Sequence, residues 1–403
     1  MEFRNLTPFE ALAFSAYDVH DAEHHVVVLK VVHRLVPDGG ADTHRCELAP
    51  GDARGKLSLA DASYGELNAS SVRAESDIAP FKPRCDVIVR ATAHAPGGVP
   101  TARWQVALRV STPERGVLID KTLMVCGPRW FERVGGAWAP GEPAPTAAVP
   151  MRWERALGGR CVVPDPDAPP GEARHLLNEV CFTNPVGAGW IESRYLDALA
   201  RAGHDAPTRL PAPQVEHPDD PVTALVITEH PPHAVDAPQM AELAAGYGHR
   251  PAGLGFVGRA WTPRLQRAGT YDDDWLARRH PFLPDDFSFA YWNAAPDDQQ
   301  IPWPDLGARF ELAHLAAPEH TRDGALSFTL PPHRAFVMAT LQGLPVPVPA
   351  VVDTVVVDTE EMTVTCLWRA LLSRSLGVGV LEARYEMDPD APLLKLEGNG
   401  PHG

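Results

Sequence analysis

Between His25 and His33 the chain runs Val26-Val27-Val28-Leu29-Lys30-Val31-Val32, a β-branched stretch broken by one charge. It is short for a helix and rich in residues that suit a pleated surface, so it predicts a buried strand. Trp104, Val106, Leu108 and Val110 recur at every second position. Successive strand side chains point to opposite faces, so these four share one face. The pattern resumes over 116–125, and the short Ser111-Thr112-Pro113-Glu114-Arg115 connection suits an antiparallel hairpin. A second hairpin is expected near the end, where Asp353-Thr354-Val355-Val356-Val357-Asp358 is followed, after Thr359-Glu360-Glu361, by the alternating run 362–368.

The stretch 141–250 reads differently. It is crowded with proline, it offers only short helical candidates such as 191–199, and Asp165-Pro166-Asp167-Ala168-Pro169-Pro170 predicts an exposed loop. The expected organisation is an N-terminal β-rich domain over 1–140, a mostly irregular proline-rich connection over 141–250, a C-terminal β-rich domain over 251–388 and a frayed tail over 389–403. The expected fold class is mainly β, antiparallel and sandwich-like, with a few short helices and an irregular middle.

Composition reinforces that picture. Proline occurs 42 times and glycine 32 times in 403 residues, too often for long helices. No apolar run approaches the roughly 20 residues of a membrane span. The N-terminus lacks the basic, apolar and small-residue regions of a secretory signal, so the expected location is the cytoplasm. Six cysteines lie scattered with no Cys-x-x-Cys pair, which predicts reduced, mostly buried thiols. Lys+Arg 36 against Asp+Glu 52 gives a net charge of −16, which repels a phosphate backbone and argues against nucleic acid as a partner.

Candidate chemistry is sparse. His20, His24 and His25 lie near Asp18, Asp21 and Glu23, but adjacent strand residues face opposite ways, and the cluster reads as a polar turn leading into the Val26 strand. His230 and His233 have the spacing of a helical zinc pair, yet Pro231 and Pro232 exclude the helix, leaving an exposed loop as the expectation. Asp272, Asp273, Asp285 and Asp286 lie among Trp275, Phe282, Phe287 and Trp292, and a pair of them across a groove could hydrolyse a glycosidic bond; capping and turn roles are the competing reading. There is no nucleophile elbow and no phosphate loop. The residues therefore point to a protein with no catalytic set, no metal and no cofactor.

Ordered blocks along the chain resemble domain-of-unknown-function family 2169. They begin with Asn5-Leu6-Thr7-Pro8-Phe9 and continue through Asp77–Asp86, Met151–Gly159, Asn184–Gly189, Pro251–Gly255, Arg259–Arg264, Ala268–Asp272, Pro281–Phe287 and Trp292–Gln299 to Leu367-Trp368-Arg369. Within them the residues that carry the resemblance are Pro80, Phe81, Lys82, Pro83, Glu154, Arg155, Gly158, Gly159, Asn184, Pro185, Gly187, Trp261, Arg264, Tyr271, Asp272, Asn293, Pro296, Gln299, Trp368 and Arg369. Leu157 and Cys85 depart from the family's usual aromatic and small polar residues. The resemblance implies an adaptor or chaperone of type VI secretion that holds a secreted effector and helps place it on the spike or its proline-alanine-alanine-arginine tip. It implies no catalytic residues, and the named positions serve either structure or partner binding. A carbohydrate-active hydrolase using the 272–286 carboxylates and a structural component of the secretion apparatus are the alternatives.

Overall fold

A computed structural model of the chain describes residues 1–40, 42–304 and 307–394. The long Glu23–Pro37 strand is its axis, with the Val26 run almost wholly buried. On one side it pairs antiparallel with Thr363–Ser373, which pairs in turn with Val351–Asp358. On the other side two strands share its length: Glu10–Tyr17 pairs with its first half and Thr43–Leu48 with its last residues. The sheet continues through Ala325–Thr329 and Arg309–Ala313 to the expected hairpin of Arg103–Thr112 and Gly116–Cys126, and in the other direction through Val351–Asp358 to Cys85–Arg90. Trp104, Val106, Leu108 and Val110 all face the core, as their alternation requires.

This large sheet curls so that one surface closes on itself around Val106, Leu108, Phe310, Phe328, Val87 and Val355. A smaller sheet of Glu2–Asn5, Val378–Glu386, Arg334–Leu341 and Leu344–Pro349 packs on the axis strand and its neighbours. Val27, Ala370 and Leu372 from below meet Val337, Ala339 and Leu381 from above. The mainly β, sandwich-like expectation is the observed architecture.

The expected separation into N-terminal and C-terminal β domains is not what the strands do. Glu23–Pro37 lies beside Thr363–Ser373, and Cys85–Arg90 pairs parallel with Val351–Asp358, so residues from 1–140 and 251–388 build one sheet. Local alternation identifies a strand and its buried face but not its neighbours.

The proline-rich middle also has more order than expected. Arg160–Pro164 pairs with His175–Val180, and Leu157–Gly158, Ala188–Glu192 and Val226–Thr228 form a small parallel set. Together with the helices Tyr195–Arg201 and Ala237–Ala245 they enclose a second core around Phe131, Leu157, Trp190 and Ile191. The loop expected at 165–172 is there, outside that core. Of the tail expected over 389–403, residues 395–403 lie outside the described residues. All six cysteines are free thiols, five of them buried. Among the described residues no helix is long and apolar enough to cross a membrane.

Candidate partner-docking site

Most motif residues build a seam rather than a site. The curled sheet leaves Cys85–Arg90 facing Gly116–Cys126 without a strand ladder joining them along their length, and segment 252–300 fills the gap. Val89 donates its amide to the Leu254 carbonyl at 2.9 Å, while Lys121 Nζ donates to the Gly253 carbonyl at 2.9 Å, Asp298 Oδ1 at 2.8 Å and Gln299 Oε1 at 2.8 Å. Gln299, fully buried, donates its amide to the Val87 carbonyl at 2.7 Å. Its orientation is therefore set from both sides. Burial pushes the Lys121 ammonium below its ordinary range, and Asp298 opposes that shift. Pro296 accepts the Gln299 amide and starts the turn that delivers it.

Asp86 is the second knot of the seam. It accepts from Lys82 Nζ at 2.7 Å, Asn293 Nδ2 at 3.0 Å and the amides of Ala294 and Ala295 at 2.9 and 3.1 Å. Lys82 also donates to Thr354 Oγ1 at 2.8 Å. Arg264 is buried beside Glu75, donating to both its carboxylate oxygens and to the carbonyls of Val257 and Tyr291. Arg369 donates to Asp353 Oδ2 and to the carbonyls of Asp77 and Ala79. Buried charges persist only when paired and hydrogen-bonded, and these are.

The remaining blocks shape turns and packing. A Cβ on Gly158 would lie 2.1 Å from the Asn184 carbonyl oxygen and one on Gly187 2.5 Å from Asn184 Nδ2, so both positions exclude any side chain. Asn184 Nδ2 in turn donates to the carbonyls of Trp153 and Leu157, each at 2.9 Å, while Gly159 donates its amide to Asn184. Pro185 sits half-buried at this turn. Glu154 accepts from the Ser71 amide and hydroxyl, Arg155 donates to Gln214 at 2.9 Å, and Trp261 meets Trp153 edge-on at 5.7 Å. Trp368 meets Tyr385 edge-on. Pro83 is exposed, without a contact that explains it.

The acidic aromatic stretch holds no hydrolase pair. Asp272 caps the Asp273–Arg278 helix by accepting the Trp275 amide at 2.8 Å, and Tyr271 lies exposed against the Trp275 ring. Asp273 lies exposed in the helix's first turn, where the helix dipole favours a negative charge. Asp285 pairs with Arg279 at 3.1 Å. Asp286 accepts the Thr270 amide and hydroxyl, and those bonds hold its carboxyl below the ordinary range, opposite to what a general acid needs.

The histidine pairs resolve differently. Asp18 accepts the amides of His20 and Ala22 and lies 3.0 Å from His24 Nε2, the polar turn expected before the Val26 strand. His230 is buried, not on an exposed loop. Its Nδ1 lies 3.0 Å from Glu179 Oε2, its Nε2 3.0 Å from the Tyr247 hydroxyl, and its ring stacks on Phe182. The prolines exclude a helix as expected, but the loop they shape carries the imidazole inward. Carboxylate, imidazole and hydroxyl thus tie three segments of the second core together, and burial pushes the Tyr247 hydroxyl up.

Pro80 and Phe81 line a surface pocket of another kind. Phe81 meets Phe289 and Trp303 edge-on. With Phe289, Leu371, Ala16, Tyr17, Asp18 and His24 these two line a mainly apolar cavity of about 220 Å³ beside the Glu10–Tyr17 strand. Among the described residues that strand pairs only with Glu23–Pro37, and none of its residues is fully buried. The Asp18 amide donates to the Ala22 carbonyl, so even-numbered residues of the strand face its partner. Alternation then turns the amides and carbonyls of Ala11, Ala13, Ser15 and Tyr17 to the open side.

A free edge of the smaller sheet is closed to such pairing. In Leu344–Pro349 the residues at 345, 347 and 349 are proline. The Ala350 amide donates to the Ala335 carbonyl, so the even positions face the sheet and the prolines face out. An edge with prolines in its outward register offers no donors to an incoming strand.

Sequence reading identified Pro80 and Phe81 but missed Tyr17, Phe289 and Leu371, because the pocket forms where three distant segments meet. Alternate prolines over 345–349 were a readable signal of an edge strand.

The family model described as "Uncharacterized protein conserved in bacteria (DUF2169)" matches residues 20–369. No curated protein and no solved structure matches the chain.

Proposed function

Because the chain belongs to that bacterial family, DUF2169, we propose that it is a cytoplasmic adaptor-chaperone that binds a type VI secretion effector and helps load it onto the spike or its tip, without catalysing a reaction. The ordered blocks from Asn5 to Arg369 support the assignment to secretion. The observation that carries a binding role is the pairing of an open strand edge, at Glu10–Tyr17, with an apolar pocket lined by Pro80 and Phe81. Extended segments dock on free edges through main-chain hydrogen bonds while pockets select their side chains. The hydrolase reading has no support from the carboxylates at 272–286, which cap, pair or brace turns.

The test is co-expression with the effector encoded by the neighbouring gene. Co-purification, together with a higher soluble yield of the effector, is expected. If neither that effector nor any neighbouring spike protein is retained or stabilised, the proposal is wrong.

A further inference from the structure

We infer that the occupant of the open edge is an extended segment of the effector that adds to the Glu10–Tyr17 strand, places one large apolar side chain in the Phe81 pocket and carries Lys or Arg where it passes Tyr17. This deepens the adaptor reading and rests on it. The backbone supplies the first requirement. Ala11, Ala13, Ser15 and Tyr17 present donors and acceptors at the two-residue repeat that an added strand needs, and no described backbone bond uses them. The side chains supply the second. The wall of the pocket toward the edge is made by Ala16 and Tyr17, and a cross-strand neighbour lies about 5 Å away, so a long side chain on the added strand passes the Ala16 methyl into the cavity.

Charge supplies the third. Around the Tyr17 end stand Asp18, Asp21, Glu23 and Asp285, against Arg279 and Arg374. Arg279 is shared between Asp21 and Asp285, and Asp18, besides two backbone amides, has His24 as its ionic partner. Carboxylates exceed guanidiniums there, and the side chain of Asp285 is 83% exposed, so a basic residue meets a net negative end with an accessible carboxylate. At the Glu10 end the open groove balances Glu10 and Asp52 against Arg54 and Lys56, which orients no charge. A second copy pairing antiparallel through this edge would set the charge-balanced Glu10 end, which brings no net positive charge, against the acidic Tyr17 end.

The experiment measures binding of the purified effector encoded by the neighbouring gene to the full chain by calorimetry. Three variants are compared with the unaltered protein: Ser15→Pro removes one outward amide, Leu371→Lys puts a charge in the pocket wall, and Asp285→Lys reverses the exposed carboxylate that shares Arg279 with Asp21. At least a tenfold weakening is expected for the first two with the thermal midpoint held, and a several-fold weakening, mostly in association rate and steepest at low salt, for the third. Should Ser15→Pro fail to fold, Leu371→Lys decides. If the unaltered protein binds the effector and a folded Leu371→Lys binds it equally, the docking inference is overturned while the adaptor reading stands. If the unaltered protein binds neither effector nor spike, both fall. A dimer of this chain that Ser15→Pro dissociates would also overturn the inference, assigning the edge to self-pairing.

Discussion

The seam and the open edge both carry motif residues and treat them in opposite ways. At the seam, Asp86, Lys82, Asn293, Lys121 and Gln299 are buried and bonded across the closing line of the sheet. At the edge, Pro80 and Phe81 touch mainly carbon, and the strand beside them keeps its outward amides and carbonyls open. A buried ion that loses a partner strands the other charge in a poor solvent for it. A pocket on the surface can change its occupant without such a penalty. The motif residues therefore occupy two physical settings in this molecule, the closing line of a curled sheet and the wall of an apolar surface pocket.

The largest effect that separates the two should come from Arg264. Arg264→Met leaves Glu75 buried without its bidentate partner, and a loss of about 3–5 kcal/mol in urea unfolding is expected. Arg264→Met combined with Glu75→Leu should recover a large part of that loss, because no charge then remains buried. Equal losses in the single and double variants would show that shape, not charge compensation, dominates there.

A second, smaller effect contrasts buried groups that have an ionic partner with one that has none. His33 lies buried near His333, and burial, reinforced by that neighbour, pushes His33 down to about 4 from 6.5. Between these values the unfolded chain holds the proton and the folded chain does not, so stability rises with pH through the window and falls on acidification. The loss attributable to His33 between pH 7 and pH 5 should be about 2 kcal/mol. Urea unfolding of the unaltered protein and of His33→Phe at both pH values checks this, since the difference between their pH dependences isolates the imidazole from titrating carboxylates.

How much of this was legible beforehand follows from the range of each interaction. The 104–125 hairpin was readable because strand alternation is local, and Asp272 as a cap because it acts three residues away. The single sheet was not, since the Val26 run takes its neighbour from Thr363–Ser373 and nothing in either segment names the other. The second core was hidden by its prolines, which suggest irregularity even where Trp190 and Phe131 pack around them. Lys82 and Gln299 could be picked out by resemblance, but their role needed Asp86 and Lys121, which carry no local sign of pairing with them.

The smallest effect on stability should accompany the sharpest effect on association, and it comes from opening the closed edge. Pro345 and Pro347 face outward and donate nothing to the ladder, so Pro345→Thr with Pro347→Thr removes no native hydrogen bond. Threonine fits a strand well, while the loss of proline frees the unfolded chain, and the net change in stability should stay within about 1 kcal/mol. The variant nevertheless gains two outward amides beside the exposed Leu344 and Val346. Concentration-dependent self-association in sedimentation velocity is the expected outcome, with the thermal midpoint nearly unchanged. If the variant remains as monodisperse as its parent, the prolines are not what keeps that edge unpaired, and the contrast with Glu10–Tyr17 must rest on the acidic rim and the pocket instead of on backbone donors.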